Sequence, residues 1–236
     1  YEKGNIWRTF NEWFSRTLSC PSESHPISNK DDNSIVTSPA DSVPQGVWKI
    51  NGNGQLNKNV KVKLLDYKNI HVDLLQGSKY ANEFANGTLT HAFLNVNDYH
   101  RYHYPLTGEV IEHHTVTRGV TLSVTWSEQE KQFIPNDSLG WQYKQTHAYA
   151  ILKTEKYGLV ALIPMGMAQV SSCNLTWPIL GHHNKGEGLG NFLFGGSDFM
   201  MLFQSKVKFT MMAPKNDDGT YKHILMGEKY GKLSII

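Results

Sequence analysis

Three short stretches of the sequence carry side chains that could perform covalent chemistry. Asp41 ends the segment Ser-Pro-Ala-Asp, His100 and His103 lie three residues apart, and Ser197 follows two glycines. A carboxylate, an imidazole and a hydroxyl, in this chain order, are the components of a nucleophilic triad. Because most proteins contain all three residue types, their presence alone permits a triad without establishing one.

Each stretch also has a purely structural interpretation. An aspartate just after a proline-fixed bend is typical of a turn or a helix cap. Two histidines three apart share a face only in a helix, and a metal site would need a third ligand that neither cysteine is placed to supply. A Gly-Gly-Ser segment between two apolar runs is typical of a hairpin turn. The residues alone leave these alternatives open.

The elements that must position these residues are predicted to be mostly β-strands. Apolar spacing predicts an amphipathic helix over Ile6–Leu18, and a second helix is expected over Asp73–Phe84. Phe192–Phe194 and Phe199–Phe203, the two apolar runs beside Ser197, both have strand character. Many short strands in one chain favour a sandwich or a barrel. The ten predicted strands are Val47–Ile50, Val60–Leu65, His91–Val96, Gly108–His114, Thr121–Trp126, His147–Thr154, Leu159–Ile163, Ala168–Leu175, Phe199–Phe209 and His223–Met226.

Composition excludes several classes of protein. The 236 residues suffice for one large domain or two small ones, with 39% hydrophobic and 19% charged residues and a net charge of +2. No basic stripe is present, which argues against nucleic acid as a partner. The best candidate run, Leu159–Ile163, is too short to span a bilayer and is stopped by Pro164. Cys20 and Cys173 form no disulfide framework, and their pairing is left open.

Taken together and in order, the three stretches resemble the phosphatidylserine decarboxylase family. The motifs are Ser-Pro-Ala-Asp ending at Asp41, Asp-Tyr-His-Arg-Tyr-His-Tyr-Pro-Leu-Thr-Gly starting at Asp98, and Lys-Gly-Glu-Gly-Leu-Gly-Asn-Phe-Leu-Phe-Gly-Gly-Ser ending at Ser197. Phe10–Arg16 resembles the family's N-terminal helix, and two later segments, Leu162–Gly166 and Met226–Glu228, resemble its strands. The resemblance covers nearly the whole chain.

This resemblance implies a single self-processing domain over residues 1–236. Attack of the Ser197 hydroxyl on the Gly196 carbonyl would cut the chain into a large β chain, 1–196, and a small α chain, 197–236. Ser197 would become a covalent pyruvoyl cofactor, which forms a Schiff base with the amine of an α-amino acid substrate and accepts the electrons left when CO₂ departs. The implied fold is α+β and mostly β, a compact sandwich or barrel-like core with an N-terminal helix.

The resemblance also implies a role for each motif residue. His103 would be the general base of the self-cleavage, and Asp41 the carboxylate that orients it and stabilises its cation. His100 would protonate the substrate carbon after decarboxylation. No metal is implied.

The sequence departs from the family pattern beside the cut. Asp198 stands where phosphatidylserine decarboxylases mostly have threonine, and Ser42 replaces a glycine. Gly195 and Asp198 are the expected substrate contacts, and a carboxylate at 198 would disfavour a phosphate group. The Gly-Gly-Ser-Asp block also resembles the soluble, phosphatidylserine-decarboxylase-like branch, whose relatives act on free amino acids such as tryptophan. This resemblance implies decarboxylation of a free, for example aromatic, L-amino acid. The alternatives are a phosphatidylserine decarboxylase making phosphatidylethanolamine and a non-catalytic or unprocessed member that only binds ligand.

The sequence leaves the cellular setting open. The chain begins at Tyr1 without a methionine, so an upstream targeting or membrane segment is compatible with it. Membrane contact is not indicated, and a homodimer is neither indicated nor contradicted. The compartment is unassigned.

Overall fold

The computed structural model describes residues 7–56, 70–118, 124–129, 132–135, 145–166, 172–193 and 197–236. The three helices in this part of the chain are short: α1 (Phe10–Phe14), α2 (Pro21–Ser24) and α3 (Ile70–Leu74), with a 3-10 turn over Ala81–Phe84. None is long and apolar enough to cross a membrane.

Both predicted helices are shorter than the sequence pattern suggests. α1 begins after Thr9, whose hydroxyl accepts a hydrogen bond from the Glu12 N–H, and it ends by Ser15. The second predicted helix, Asp73–Phe84, is wrong as one element. Gly77 adopts a φ of 84° between α3 and the 3-10 turn, a left-handed conformation that interrupts helical hydrogen bonding.

Strands make up most of the described chain, and all of their described pairings are antiparallel. They are β1 (Ile35–Thr37), β2 (Val43–Lys49), β3 (Thr88–Leu94), β4 (Arg101–His103), β5 (Gly108–Val116), β6 (Val124–Ser127), β7 (Gln132–Pro135), β8 (His147–Thr154), β9 (Gly158–Gly166), β10 (Ser172–Leu175), β11 (Gly181–His183), β12 (Gly188–Leu193), β13 (Ser197–Phe203), β14 (Val207–Met211) and β15 (Lys229–Ile235).

The centre of the fold is a seven-stranded sheet in the order β11-β5-β8-β9-β13-β3-β2. Two three-stranded sheets, β10-β12-β4 and β1-β15-β14, contribute side chains to the apolar core on one of its faces; we call this face the inner face. A second apolar cluster, which includes Trp48, Leu74 and Phe84, covers the opposite face. The expected mostly β fold with packed sheets is confirmed.

Strand β13 is buried on both faces. Phe199, Met201 and Phe203 belong to the inner-face core, whereas Met200 and Leu202 belong to the opposite cluster. Successive side chains of a strand alternate between faces, so a doubly covered strand is a continuous apolar run. By the same alternation Ser197 points to the inner face and Asp198 to the opposite face.

Two strand predictions are corrected by the structure. Phe199–Phe209 is two strands, β13 and β14, because the chain turns at Gln204, whose carbonyl accepts a hydrogen bond from Val207 N at 3.1 Å. His223–Met226 is not a strand and makes only an isolated bridge, between Ile224 and Ser42. Val60–Leu65 lies outside the described residues, as do parts of Thr121–Trp126 and Ala168–Leu175. Cys20 and Cys173 are both free thiols.

Candidate active site

Ser197 is the first residue of β13, where it pairs with Leu94 of β3 on one side and Gly166 of β9 on the other. Its side chain is completely buried, and its hydroxyl has no hydrogen-bond partner among the described residues. Gly195 and Gly196 lie outside the described residues. A buried hydroxyl without a partner is costly, which marks the position for a further role.

A succession of aromatic rings connects the interior beside Ser197 to His100. The ring of Phe199 lies 5.7 Å from that of Tyr102, and Tyr102 lies 4.8 Å from Phe192. Phe192 in turn meets the His100 ring edge-on at 6.4 Å. His100 is therefore held on the side of the seven-stranded sheet to which Ser197 points.

His100 carries an unused lone pair in this interior. Its Nδ1 lies 2.9 Å from the Asp98 carbonyl, which only accepts, so Nδ1 carries the ring proton. Nε2 is then a bare acceptor, and it has no partner in the described part of the chain. The ring stacks on Phe14 and is completely buried, and this burial lowers the pKa of His100 to about 4. The imidazole is neutral at pH 7.

His103 lies on the other side of strand β4 from this interior. Because Tyr102 packs into the inner-face core, its neighbour His103 projects the opposite way. His103 Nδ1 donates to the Gly186 carbonyl at 2.9 Å, and Nε2 accepts from the Tyr99 hydroxyl at 3.1 Å. Burial is the main cause that lowers the pKa of His103.

Asp41 contacts a histidine that the sequence did not single out. Its Oδ1 lies 3.1 Å from His25 Nε2 and accepts the Met226 N–H at 2.8 Å. Both nitrogens of His103 have other partners, so among the described residues no hydrogen bond joins Asp41 directly to His103. Nothing in the sequence pattern marks His25, which follows a helix of only four residues and is 16 positions from its partner.

Three loops hold these groups together beside β4. The Pro39 carbonyl accepts the His103 N–H at 2.8 Å, and the Ser38 N–H donates to the Glu228 carbonyl at 2.8 Å. Gly186 has a φ of 87°, and a Cβ there would lie 2.6 Å from Ile27, so only glycine allows this approach. The Ser-Pro-Ala-Asp loop, the Gly186 loop and the Met226–Glu228 segment thus converge on one place.

Asp198 lies apart from this arrangement. It points to the face opposite Ser197 and pairs with His91, whose Nε2 lies 2.8 Å from Asp198 Oδ1. Asp198 is 1% exposed. The structure does not bring this carboxylate to the side of the sheet where Ser197 and His100 lie. Within the described ranges no group of three His, Cys, Asp or Glu residues could hold a metal.

Comparison with known proteins agrees with the motifs. The family model for phosphatidylserine decarboxylase matches residues 10–232. The phosphatidylserine decarboxylase proenzyme of Fusobacterium nucleatum is 33% identical over 196 residues, 74% of this chain and 63% of that protein. The Clostridium tetani proenzyme is 29% identical over 229 residues, 96% of this chain and 71% of that protein.

A relative with another printed activity is also similar. The L-tryptophan decarboxylase of Psilocybe cubensis is 28% identical over 163 residues, 62% of this chain and 36% of that protein. The chain spans just under two thirds of the Fusobacterium protein and about a third of the fungal one. Since the family match takes in Asp41, both motif histidines and Ser197, this chain belongs to the phosphatidylserine decarboxylase family.

Proposed function

We propose that this chain is a self-processing, pyruvoyl-dependent decarboxylase that converts phosphatidylserine to phosphatidylethanolamine. The observation that carries the proposal is the pair of unpartnered, buried groups on one side of β13: the Ser197 hydroxyl and the His100 Nε2 lone pair. The bacterial relatives described above support the lipid substrate, because both are phosphatidylserine decarboxylase proenzymes.

The residues around position 197 fit the cofactor of this family. Proenzymes of the family carry a pyruvoyl group derived from a serine. Ser197 is completely buried, its strand neighbour Phe199 belongs to the inner-face apolar core, and its hydroxyl has no hydrogen-bond partner in the described part of the chain. When present, the group supplies a carbonyl that captures the substrate amine and accepts the electrons left by CO₂.

His100 is suited to move protons beside position 197. Since the low pKa of His100 keeps the imidazole neutral at pH 7, it can first take a proton from the substrate's ammonium group. It can then give a proton to the α-carbon once CO₂ has left. The stacking on Phe14 and the bond from Nδ1 to the Asp98 carbonyl hold Nε2 in one orientation throughout.

His103 is proposed as the general base of self-cleavage, with Asp41 as its supporting carboxylate. The Gly186 carbonyl holds Nδ1, so only Nε2 can accept the Ser197 proton. The Tyr99 hydroxyl already donates a hydrogen bond to Nε2. A proton that leaves Ser197 must therefore reach His103 by way of this hydroxyl or after the hydroxyl has moved aside. The cut would fall between Gly196 and Ser197, leaving residues 1–196 and 197–236.

Decarboxylation of a free L-amino acid is the second candidate, favoured by the similarity to the fungal L-tryptophan decarboxylase. The main argument for it from the sequence was a carboxylate at 198 beside the substrate. The burial of Asp198 against His91, on the face away from Ser197, weakens that argument. A purely ligand-binding role is disfavoured because Asp41, His103 and Ser197 are all present.

Intact mass and a lipid assay together test the proposal. We expect the purified protein to give two species under denaturing conditions, the smaller starting with a pyruvoyl group at 197, and to release CO₂ from phosphatidylserine vesicles. Ser197→Ala should remain uncut and inactive, whereas Ser205→Ala, at an exposed turn, should behave as the unaltered chain. A cut Ser197→Ala chain would contradict the proposal. So would turnover of free L-tryptophan or L-serine without turnover of the lipid.

A further inference from the structure

We propose that His25 and Tyr99 are positioning residues of the self-cleavage centre and that Asp41 acts on His103 through them. This inference rests on the proposed function, because it concerns the step that cuts the chain before Ser197. Its basis is a continuous set of side-chain contacts from Asp41 to His103 on the outer side of β4.

The first contact is a buried pair between His25 and Asp41. His25 Nε2 lies 3.1 and 3.3 Å from the two carboxylate oxygens, and both side chains are 8% exposed. The Met226 N–H donates to the same carboxylate. His25 therefore fixes the direction of Asp41 and joins the α2 end of the chain to the Ser-Pro-Ala-Asp loop.

Both ring nitrogens of His25 have hydrogen-bond partners. Its Nδ1 lies 2.9 Å from the Ser24 hydroxyl, and this hydroxyl donates its only proton to the Cys20 carbonyl at 3.1 Å. Nδ1 thus contacts Ser24 while Nε2 contacts Asp41, so the ring cannot turn without losing one of these contacts.

The second contact connects this pair to His103. Tyr99 is 3% exposed, and its ring lies 5.7 Å from the His25 ring and 5.7 Å from the His103 ring. Its hydroxyl donates to His103 Nε2 at 3.1 Å, since Nδ1 already carries the ring proton toward Gly186. The Gly186 carbonyl thus fixes the tautomer of His103 that has its lone pair on Nε2, and the Tyr99 hydroxyl holds that nitrogen in place.

Asp41 and His25 both act on His103 electrostatically. Burial is the largest influence on the pKa of His103 and lowers it, followed by the hydrogen bond to Gly186, which raises it, and the charge of Arg101, which lowers it. Two smaller influences come from His25, which lowers this pKa, and from Asp41, which raises it. Removal of His25 would leave the buried Asp41 carboxylate without its side-chain partner and free to turn. Removal of the Tyr99 hydroxyl would release Nε2 from the orientation it now has.

The rate of self-cleavage in the freshly synthesised full chain measures this network. Denaturing mass spectrometry at successive times should show that His25→Ala and Tyr99→Phe each slow the cut by about tenfold or more. Imidazole added to the folded His25→Ala chain, or the substitution His25→Gln, should restore part of the rate. The double variant should be no slower than the slower single variant, because the two residues act in one series of contacts.

Two buried residues away from this network serve as matched controls. His147→Gln alters a buried histidine bonded to the Leu74 and Gln145 carbonyls, and Tyr149→Phe removes a hydroxyl that reaches the Gln76 carbonyl. Both should cut at the unaltered rate.

Three results would overturn the inference. The first is that three folded variants, Tyr99→Phe, His25→Gln and His25→Ala, are all cut at the rate of the unaltered chain. The second is slowing of His25→Ala that neither imidazole nor glutamine relieves and that tracks its loss of thermal stability. The third is a wild-type chain that is never cut, which would also overturn the proposed function, whereas the first two leave that function intact.

Discussion

At the level of single residues, the two motif histidines have different surroundings and hence different expected duties. His100 is fully buried with a bare Nε2, whereas both nitrogens of His103 have partners. An unengaged lone pair in an apolar interior is available to a substrate, and an engaged one is available only through its partner. The spacing His-x-x-His does not by itself reveal this difference.

We therefore expect His100→Ala to separate the two reactions. The variant should still be cut before residue 197, because His100 lies apart from the contacts between Asp41 and His103. Its decarboxylation of phosphatidylserine should fall by about 100-fold or more, since a positioned proton carrier is lost. Mass spectrometry and CO₂ release measure the two steps, with exposed His182→Ala as control. A variant that decarboxylates at the normal rate would contradict the assignment.

The His91–Asp198 pair should contribute to stability and not to substrate choice. Asp198→Asn removes the charge opposite a buried imidazole and should lower the free energy of unfolding by about 3 kcal/mol. Urea unfolding in a Ser197→Ala background, where the chain stays whole, measures this, and a second substitution, His91→Phe, should recover part of the loss. Asp198→Thr should leave the preference between lipid and free amino acid unchanged. A changed preference would return Asp198 to the substrate site.

At the level of elements, the small chain proposed for residues 197–236 supplies interior strands to two sheets. β13 lies between β9 and β3 in the seven-stranded sheet, and β15 lies between β1 and β14. Each residue of β13 is buried, so removing the strand would expose a continuous apolar run on both faces. The small chain is thus part of the core.

It follows that cutting should not release the small chain. Native size exclusion of the processed protein should give one peak that contains both pieces, and high salt should not separate them, because apolar burial and main-chain hydrogen bonds hold β13. Separation should require denaturant at a concentration that also abolishes the β-sheet circular dichroism signal. A small chain that elutes alone from a folded large chain would contradict this architecture.

Sequence patterns predicted the long, buried strands and failed on short or local features. The predicted strand His147–Thr154 coincides with β8, because eight residues of unbroken β texture leave few other options. β1, β4 and β11, three residues each, carry too little pattern to be recognised. The sequence is sufficient to single out Asp41, His100, His103 and Ser197 as candidate site residues. It does not predict the contacts of Asp41 and Asp198, because these depend on which residues other strands and loops bring near.

At the level of the whole molecule, folding buries several histidine rings. Burial lowers the pKa values of His100, His103 and His147, that of His100 from 6.5 to about 4. In the unfolded chain His100 binds a proton as the pH falls through about 6.5, whereas in the folded protein it does so only near 4. The unfolded state thus binds more protons in this window, and stability falls as the pH falls.

We expect the free energy of unfolding of uncut Ser197→Ala protein to decrease between pH 6.5 and pH 4. Adding His100→Phe should make this dependence less steep, since one of the contributing groups is removed, while His103 and His147 keep part of it. Urea unfolding at pH 7, 5.5 and 4.5 measures the free energy of unfolding of both variants, with and without His100→Phe. The same slope with and without His100 would show that its pKa is not lowered by folding.

The interior position of β13 changes the order of the folding reaction once the chain is cut. In the uncut chain, β13 pairs with β9 and β3 by closure of a loop within one molecule, at a rate independent of protein concentration. Two separate pieces must instead meet in solution, so refolding after denaturation becomes a bimolecular reaction that slows on dilution. Until they meet, the large chain lacks the strand that lies between β9 and β3. Processing of this kind would mean that the native fold forms efficiently only before cleavage, while the protein is still a single chain.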